Sequence, residues 1–196
     1  MIPRLFCLVD ITDALALLPR LAEVGVDGFQ IRAKALPATC VLDLTERVIA
    51  AARPAGAVVV VNDRLDIALA AGADGVHLGA TDLPVADARR IAPGLLVGGT
   101  CRNAEQVRRA AVDGASYAGF GPVFASASKA GLPDPLGTDA IAEAAGGLPL
   151  IAIGGLDVRR AAEARAAGAH GIAVIGAIWR QPDPVQAAKE LVAAVA

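Results

Sequence analysis

Gln30, Arg32 and Lys34 alternate with Phe29, Ile31 and Ala33. Side chains two residues apart on an extended chain share a face. One face therefore offers an amide, a guanidinium and an ammonium, a set suited to a polyanion such as a diphosphate. A strand running out into solvent would carry the same pattern. Asn62-Asp63 and Asp82 follow the next two apolar runs. Each alone is what a helix N-cap shows. Together they are two carboxylates opposite a cationic strand, and Mg²⁺ is held by a few carboxylates plus substrate phosphates and waters. His77, in "GVHLG", fits either a satisfied core histidine or a substrate contact, and Thr100 closes the following apolar run. "GPVFASASK" places Ser126, Ser128 and Lys129 in a Gly/Pro-rich stretch. Such a loop either closes over a phosphate or is a plain surface turn. Gly154-Gly155 in "PLIAIGGLD" and Gly176 in "GIAVIGAI" end two further apolar runs just before helical patterns. Glycine allows close backbone approach and helix starts present unpaired N–H groups, so the two turns together suggest a phosphate cup. Of the cysteines, Cys7, Cys40 and Cys101, only Cys101 falls near these residues, and it has no histidine partner for nucleophilic work. The chemistry on offer is anion binding and charge neutralisation.

These residues need a scaffold that brings them to one rim. Short β-rich runs at 4–9, 28–32, 57–61, 74–78, 95–98, 116–121, 149–153 and 171–175 alternate with helical patterns. The helical patterns fall at 13–24, 38–53, 65–71, 84–92, 104–113, 138–145, 157–167 and 183–195. Eight strand–helix units imply parallel strands with crossover helices, closing as an α/β, single-domain (β/α)8 TIM barrel over 1–196. In such barrels the C-terminal ends of the strands carry the active site, and the loops after strands seven and eight commonly hold phosphate. Asp10, Arg32, Asp63, Arg64, Asp82, Thr100 and the glycine turns all fall at that end. His170 falls at the opposite end and reads as structural. An echo runs through "VGVDGFQIR", "AGADGVHLG", "DGASYAGFG" and "AGAHGIAVIG". It puts Gly25, Gly72, Gly114 and Gly168 where a helix needs a left-handed stop. Either a repeated unit or a shared αβ-turn requirement explains it.

Bulk properties exclude several classes. The chain has 196 residues, 55% hydrophobic, with a formal charge of -2. Nothing in that balance points to nucleic acid or an anionic membrane surface. No apolar run reaches the ~18 residues of a membrane span. Three cysteines without pairing pattern and no secretory start lead us to expect a cytoplasmic protein.

"QIRAK", "VNDRLDIAL", "GVHLGATDLP", "YAGFGPVFASASK", "IAIGGL" and "GIAVIGAI" occur in the order and spacing of thiamine phosphate synthase. The chain resembles that family over essentially its whole length. The resemblance implies a TIM barrel that joins 4-amino-2-methyl-5-hydroxymethylpyrimidine diphosphate to 4-methyl-5-(2-phosphoethyl)thiazole, giving thiamine phosphate and diphosphate. It implies that Arg32, Lys34, Asn62 and Lys129 hold the diphosphate, with Arg32, Lys34 and Lys129 catalytic. It also implies that Asp63 and Asp82 bind Mg²⁺, that Gln30 and His77 line the pyrimidine side, and that Thr100 lies near the diphosphate. Ser126 and Ser128, with backbone N–H groups of Gly155, Ile175 and Gly176, would hold the thiazole phosphate. The partners are small molecules, with neither nucleic acid nor membrane, and a homodimer is left open.

Some positions depart from the family pattern. Ala33 stands where glutamate is usual, "GGTCRN" replaces a "GxSTH" type, both loop threonines are serines, and Gly176 replaces a frequent serine. The competing readings are a thiazole tautomerase of the same superfamily and a noncatalytic thiamine-precursor binding protein. Pro122, where the characterised tautomerases resemble one another in carrying a catalytic histidine, favours the synthase, as do Asp63 and Asp82.

Overall fold

The strands are short apolar runs buried on both faces, as parallel strands covered by helices must be. The computed structural model describes residues 1–125 and 133–196. Eight parallel strands close in chain order: β1 (Leu5–Val9), β2 (Gly28–Ile31), β3 (Val58–Asn62), β4 (Gly75–Leu78), β5 (Leu96–Cys101), β6 (Tyr117–Phe120), β7 (Leu150–Ile153) and β8 (Gly171–Val174). All eight lie within three residues of their expected bounds at either end. The helices are α1 (Leu18–Glu23), α2 (Ala38–Ala52), α3 (Leu65–Ala70), α4 (Val85–Ile91), α5 (Ala104–Val112), α6 (Gly137–Ala144), α7 (Val158–Ala166), α8 (Gly176–Trp179) and α9 (Pro184–Val195). The short α8 was not expected, because four residues are too few to show a periodicity.

Outward strand residues such as Cys7, Phe29, Val59, Val76, Phe120 and Ile172 join the large core between sheet and helices. A separate inner cluster of Phe6, Leu8, Val60, Tyr117, Ile151 and Ala173 fills the barrel. The helix faces that cover the sheet are fixed by caps where the sequence supplies them. Asn103, Asp157 and Asp183 each accept a backbone N–H at the start of α5, α7 and α9.

The echoed turns have a physical cause. Gly25, Gly72, Gly114 and Gly168 all take positive φ, ending their helices in the left-handed conformation. Two residues later comes a polar residue that ties the turn to neighbouring backbone. Asp27 accepts from the N–H groups of Arg4 and Leu5, each at 2.8 Å. Asp74 accepts from Val59 N–H at 2.8 Å, and the Ser116 hydroxyl from Val97 N–H at 3.1 Å. His170 N–H donates to the Leu150 carbonyl, and its ring Nε2 meets the Ile2 carbonyl at 2.9 Å. His170 is thus structural, as expected, and the echo reflects a turn that four consecutive strand pairs need alike.

At Gly75 the neighbouring strand comes too close for a side chain. An added Cβ would lie 2.4 Å from the Leu96 carbonyl oxygen, a backbone atom that cannot swing away. Gly75→Ala should therefore cost about 2–3 kcal/mol of stability, by the usual penalty for overpacking. Gly94→Ala, with open space at its Cβ, should leave the urea midpoint within the scatter of wild type. Equal midpoints for the two variants would contradict the packing described.

Candidate active site

The last inward positions on β2 to β5 are polar, and those on β1, β7 and β8 are apolar. Gln30, Asn62, His77 and Thr100 line a cavity of about 440 Å³ with Phe6, Leu8, Ile151 and Ile153 across from them. The register puts Asn62 opposite His77 and Gly98 opposite Tyr117. The result is a mouth with one polar wall and one apolar wall, which suits a flat heteroaromatic ring carrying polar edges.

The polar wall is internally ordered. Gln30, 6% exposed, donates from Nε2 to Asn62 Oδ1 at 3.0 Å. His77 meets the Tyr117 hydroxyl at 3.2 Å through Nδ1 and the Thr100 hydroxyl at 3.1 Å through Nε2. Its ring also stacks on Tyr117, which stacks in turn on Phe6, with centroids 5.6 and 5.5 Å apart. Gly98 and Gly119 make room for this stack. A Cβ at Gly98 would sit 2.2 Å from the Tyr117 ring, and one at Gly119 2.6 Å from His77. Burial lowers the imidazole to about 4, with the nearby Asp63 charge opposing that fall and Lys34 adding to it. His77 is therefore neutral at pH 7 and presents one donor and one acceptor. Burial likewise pushes the Tyr117 phenol up, so it stays protonated.

Charge gathers at the mouth. β2 ends at Ile31, so Arg32 and Lys34 stand on the loop beyond it, yet both still line the cavity with Gln30. Lys34 Nζ lies 2.7 Å from Asp63 Oδ2. Asp63 has φ of 66°, a conformation that side-chain residues other than Asn and Asp seldom adopt, and its N–H donates to the His77 carbonyl at 2.8 Å. It does not cap α3, whose N-cap is Arg64. Asp82 does not cap α4 either; its carboxylate accepts from Gly79 N–H at 2.7 Å and meets Asp63. Burial and the Asp63 carboxyl raise Asp82 above the usual carboxylate range. For Asp63 burial acts upward, but Lys34 and the hydrogen bond to Asp82 outweigh it and hold the carboxyl down. Two carboxyls pressed together in this way favour a shared cation. Among the described residues no group of three or more His, Cys, Asp or Glu could hold a metal. The Asp63–Asp82 pair offers two carboxylates, a donor type that fits a hard cation such as Mg²⁺.

A second cavity of about 420 Å³ opens at the ends of β7 and β8, lined by Gly154, Gly155, Ile175 and Gly176. It shares Ile153, Gly154, Ala173 and Ile175 with the first. Gly155 has φ of 64°, and a Cβ there would meet the Ala125 carbonyl oxygen at 2.3 Å. Arg160 holds this turn by donating to the Gly155 carbonyl at 2.7 Å while its guanidinium lies over Phe124. On the other side the Trp179 indole donates to the Leu8 carbonyl at 2.7 Å, which anchors α8 to β1.

The family model for thiamine monophosphate synthase matches residues 6–178. The chain is 49% identical over 173 residues to the thiamine-phosphate synthase of Anaeromyxobacter dehalogenans, covering 87% of this chain and 78% of the relative. It is 45% identical over 190 residues to a thiamine biosynthesis bifunctional protein of Symbiobacterium thermophilum, covering 95% of this chain and 40% of that longer one. A solved structure of thiamine phosphate pyrophosphorylase from Pyrococcus furiosus superposes with a TM-score of 0.88 at 30% identity, covering 98% of this chain and 95% of the other. The chain belongs to the thiamine monophosphate synthase family.

The structure gathers all but four of the residues expected of a family member into two adjoining cavities. Asp82 stands beside the first cavity, against Asp63 and Gly79. Ser126, Ser128 and Lys129 lie outside the described residues. Two other polar residues at that rim serve elsewhere. Asp10 accepts from Thr12 in a local turn, and Arg64 pairs with Asp66 at 2.8 Å. Two polar residues lining the first cavity were not expected. Tyr117 could have been found by parity, since it begins a strand on its inward face. Arg102 ties the end of β5 to the chain beyond β6, donating to the carbonyls of Gly121 at 3.3 Å and Asp134 at 3.0 Å. Cys101 points outward into the core, where burial lifts its thiol to about 11, so it is no nucleophile.

The folded-state value of His77 lies below the unfolded one of about 6.5. The unfolded chain takes up that proton first, so the His77 contribution is intact above pH 6.5 and lost as pH falls through about 4. His77→Gln should flatten the pH dependence of the urea midpoint in that window. An NMR titration should find the wild-type ring neutral at pH 5.5; a charged ring there would overturn the assignment.

Proposed function

We propose that the chain is a Mg²⁺-dependent thiamine phosphate synthase, condensing 4-amino-2-methyl-5-hydroxymethylpyrimidine diphosphate with 4-methyl-5-(2-phosphoethyl)thiazole. The observation that carries this reading is the placement of Arg32, Lys34, Asp63 and Asp82 at the mouth of a ring-sized pocket that shares a wall with a glycine-lined cup. A diphosphate ester and a phosphate ester fit side by side in such a site.

The pyrimidine enters the first cavity, its ring between the Gln30–Asn62–His77 wall and Ile151, its diphosphate at the mouth. Arg32, Lys34 and Asn62 bind the diphosphate oxygens, and the family resemblance implies Lys129 as a further partner. Asp63 and Asp82 would hold Mg²⁺, which supplies neutralisation of charge on the departing diphosphate. The bond between the methylene carbon and the diphosphate oxygen breaks, its electron pair leaving with diphosphate. The thiazole nitrogen lone pair then forms the new N–C bond. No side chain need act as nucleophile. The cup of Gly155, Ile175 and Gly176 N–H groups, with Ser126 and Ser128, fixes the thiazole by its phosphate, so the nitrogen is aimed before the bond breaks.

The deciding experiment supplies both precursors to purified protein with Mg²⁺ or with EDTA and follows thiamine phosphate. Product with Mg²⁺ and none with EDTA is expected. Asp63→Asn keeps a residue type that tolerates positive φ while removing the charge, so it should fold normally and lose nearly all synthesis. Arg32→Ala should raise the barrier by about 2–4 kcal/mol, as removal of other charge-stabilising groups does. Lys129→Ala should likewise abolish synthesis with the fold intact. Full activity in EDTA would remove the metal from this reading, and failure of Asp63→Asn to fold would make that residue structural.

A further inference from the structure

The glycine-lined cavity contains a charge problem. Two carboxylates, Asp157 and Glu190, face it, and among the described residues lining it Arg180 is the one Lys or Arg. Asp157 is engaged by the Arg160 N–H at 2.8 Å and stands 3.9 Å from the Arg160 guanidinium, while Glu190 accepts from Gln186 at 2.8 Å. Backbone N–H groups carry only partial charge. A phosphate dianion placed here would sit near these carboxylates with Arg180 as the cationic partner in the wall.

The geometry at Gly176 shows how Arg180 reaches this position. The Arg180 side chain folds back over Gly176, its Cδ 3.1 Å and its Nε 3.5 Å from the point where a Cβ of residue 176 would lie. A guanidinium nitrogen therefore occupies the neighbourhood into which a side chain at 176 would project. The missing side chain at 176 and the long one at 180 fit each other. Asp13 lies within electrostatic range on the side toward β1. The Arg180 N–H donates to the Gly176 carbonyl at 3.2 Å, so the backbone that carries Arg180 is fixed relative to the cup.

We propose that Arg180 is a phosphate-binding residue of the cup and sets its preference for the phosphorylated over the unphosphorylated thiazole. This rests on the synthase reading above and adds a specificity residue to it. A guanidinium donates two parallel hydrogen bonds to phosphate oxygens, which a hydroxyl cannot do. An interaction confined to the phosphate acts in the ground state and transition state alike, so its loss should raise KM and spare kcat.

The test uses titration calorimetry of the full chain with 4-methyl-5-(2-phosphoethyl)thiazole and with the corresponding alcohol. Arg180 is exposed, so Arg180→Ala and Arg180→Lys should fold as wild type does. Wild type should bind the phosphate ester more tightly than the alcohol. Arg180→Ala should lose about tenfold in affinity for the ester and nothing for the alcohol, while Arg180→Lys should recover part of the loss, as expected for a single charge in place of a fork. Equal affinity of wild type and Arg180→Ala for the ester would overturn the role of Arg180 and leave the synthase reading standing. Failure of wild type to bind the ester at all would overturn the synthase reading and this inference with it.

Discussion

Closure of the sheet governs everything else in this protein. Eight parallel strands joined in a ring leave no free edge, so every strand residue points either into the ring or out toward the helices. Inward space is small, and each position must be filled with the right volume. Gly98 and Gly119 give up their side chains so that Tyr117 and His77 can stack in the interior. The ring that fixes the fold thereby fixes the pocket floor, and the polar groups of four adjacent strands converge without any loop having to place them.

Charge is kept for the rim. Inside, burial holds the titrating groups His77 and Tyr117 neutral: His77 falls to about 4 and Tyr117 rises. At the mouth Lys34 and Asp63 form an ion pair that is half-exposed on the lysine side, a pair worth little to stability. Its use lies in keeping a cation and a carboxylate poised at one spot. The floor can thus discriminate by shape and hydrogen bonding, and the rim can handle a large change in charge.

The strands and the long helices were legible because parity and helical period are written into consecutive residues. Gln30, Asp63 and Asp82 could be singled out because a barrel turns the ends of its strands into one rim. What the chain did not reveal had no local signature. Asn62, Asp63 and Asp82 looked as much like helix caps as ligands, and only the placement of the true N-caps, Arg64 and Pro84, separates the two. Arg102 acts through carbonyls nineteen and thirty-two residues away. Four residues of α8 carry no period, and the fit of Arg180 over Gly176 is visible only in three dimensions.

The turn bonds of Asp27, Asp74, Ser116 and His170 all lie at the N-terminal end and close strands in pairs, β1 with β2 through to β7 with β8, while the His170 ring also reaches Ile2 ahead of β1. Seen from that end the barrel is four quarters, and the backbone carbonyls of Asp27 and Asp74 join one quarter to the next by accepting from the N–H groups of Val58 and Leu96. At the opposite end a chain of side-chain contacts runs between quarters. Gln30 to Asn62 and Lys34 to Asp63 join the first to the second, and His77 joins the second to the third through Thr100 and Tyr117. Arg160 over Phe124 joins the third to the fourth, and Trp179 to the Leu8 carbonyl returns to the first. At the mouth these sutures are largely the pocket residues themselves. A ligand that bridges Gln30, Lys34, His77 and Gly155 spans the same seams, so occupancy of the pocket and cohesion of the barrel mouth are one property.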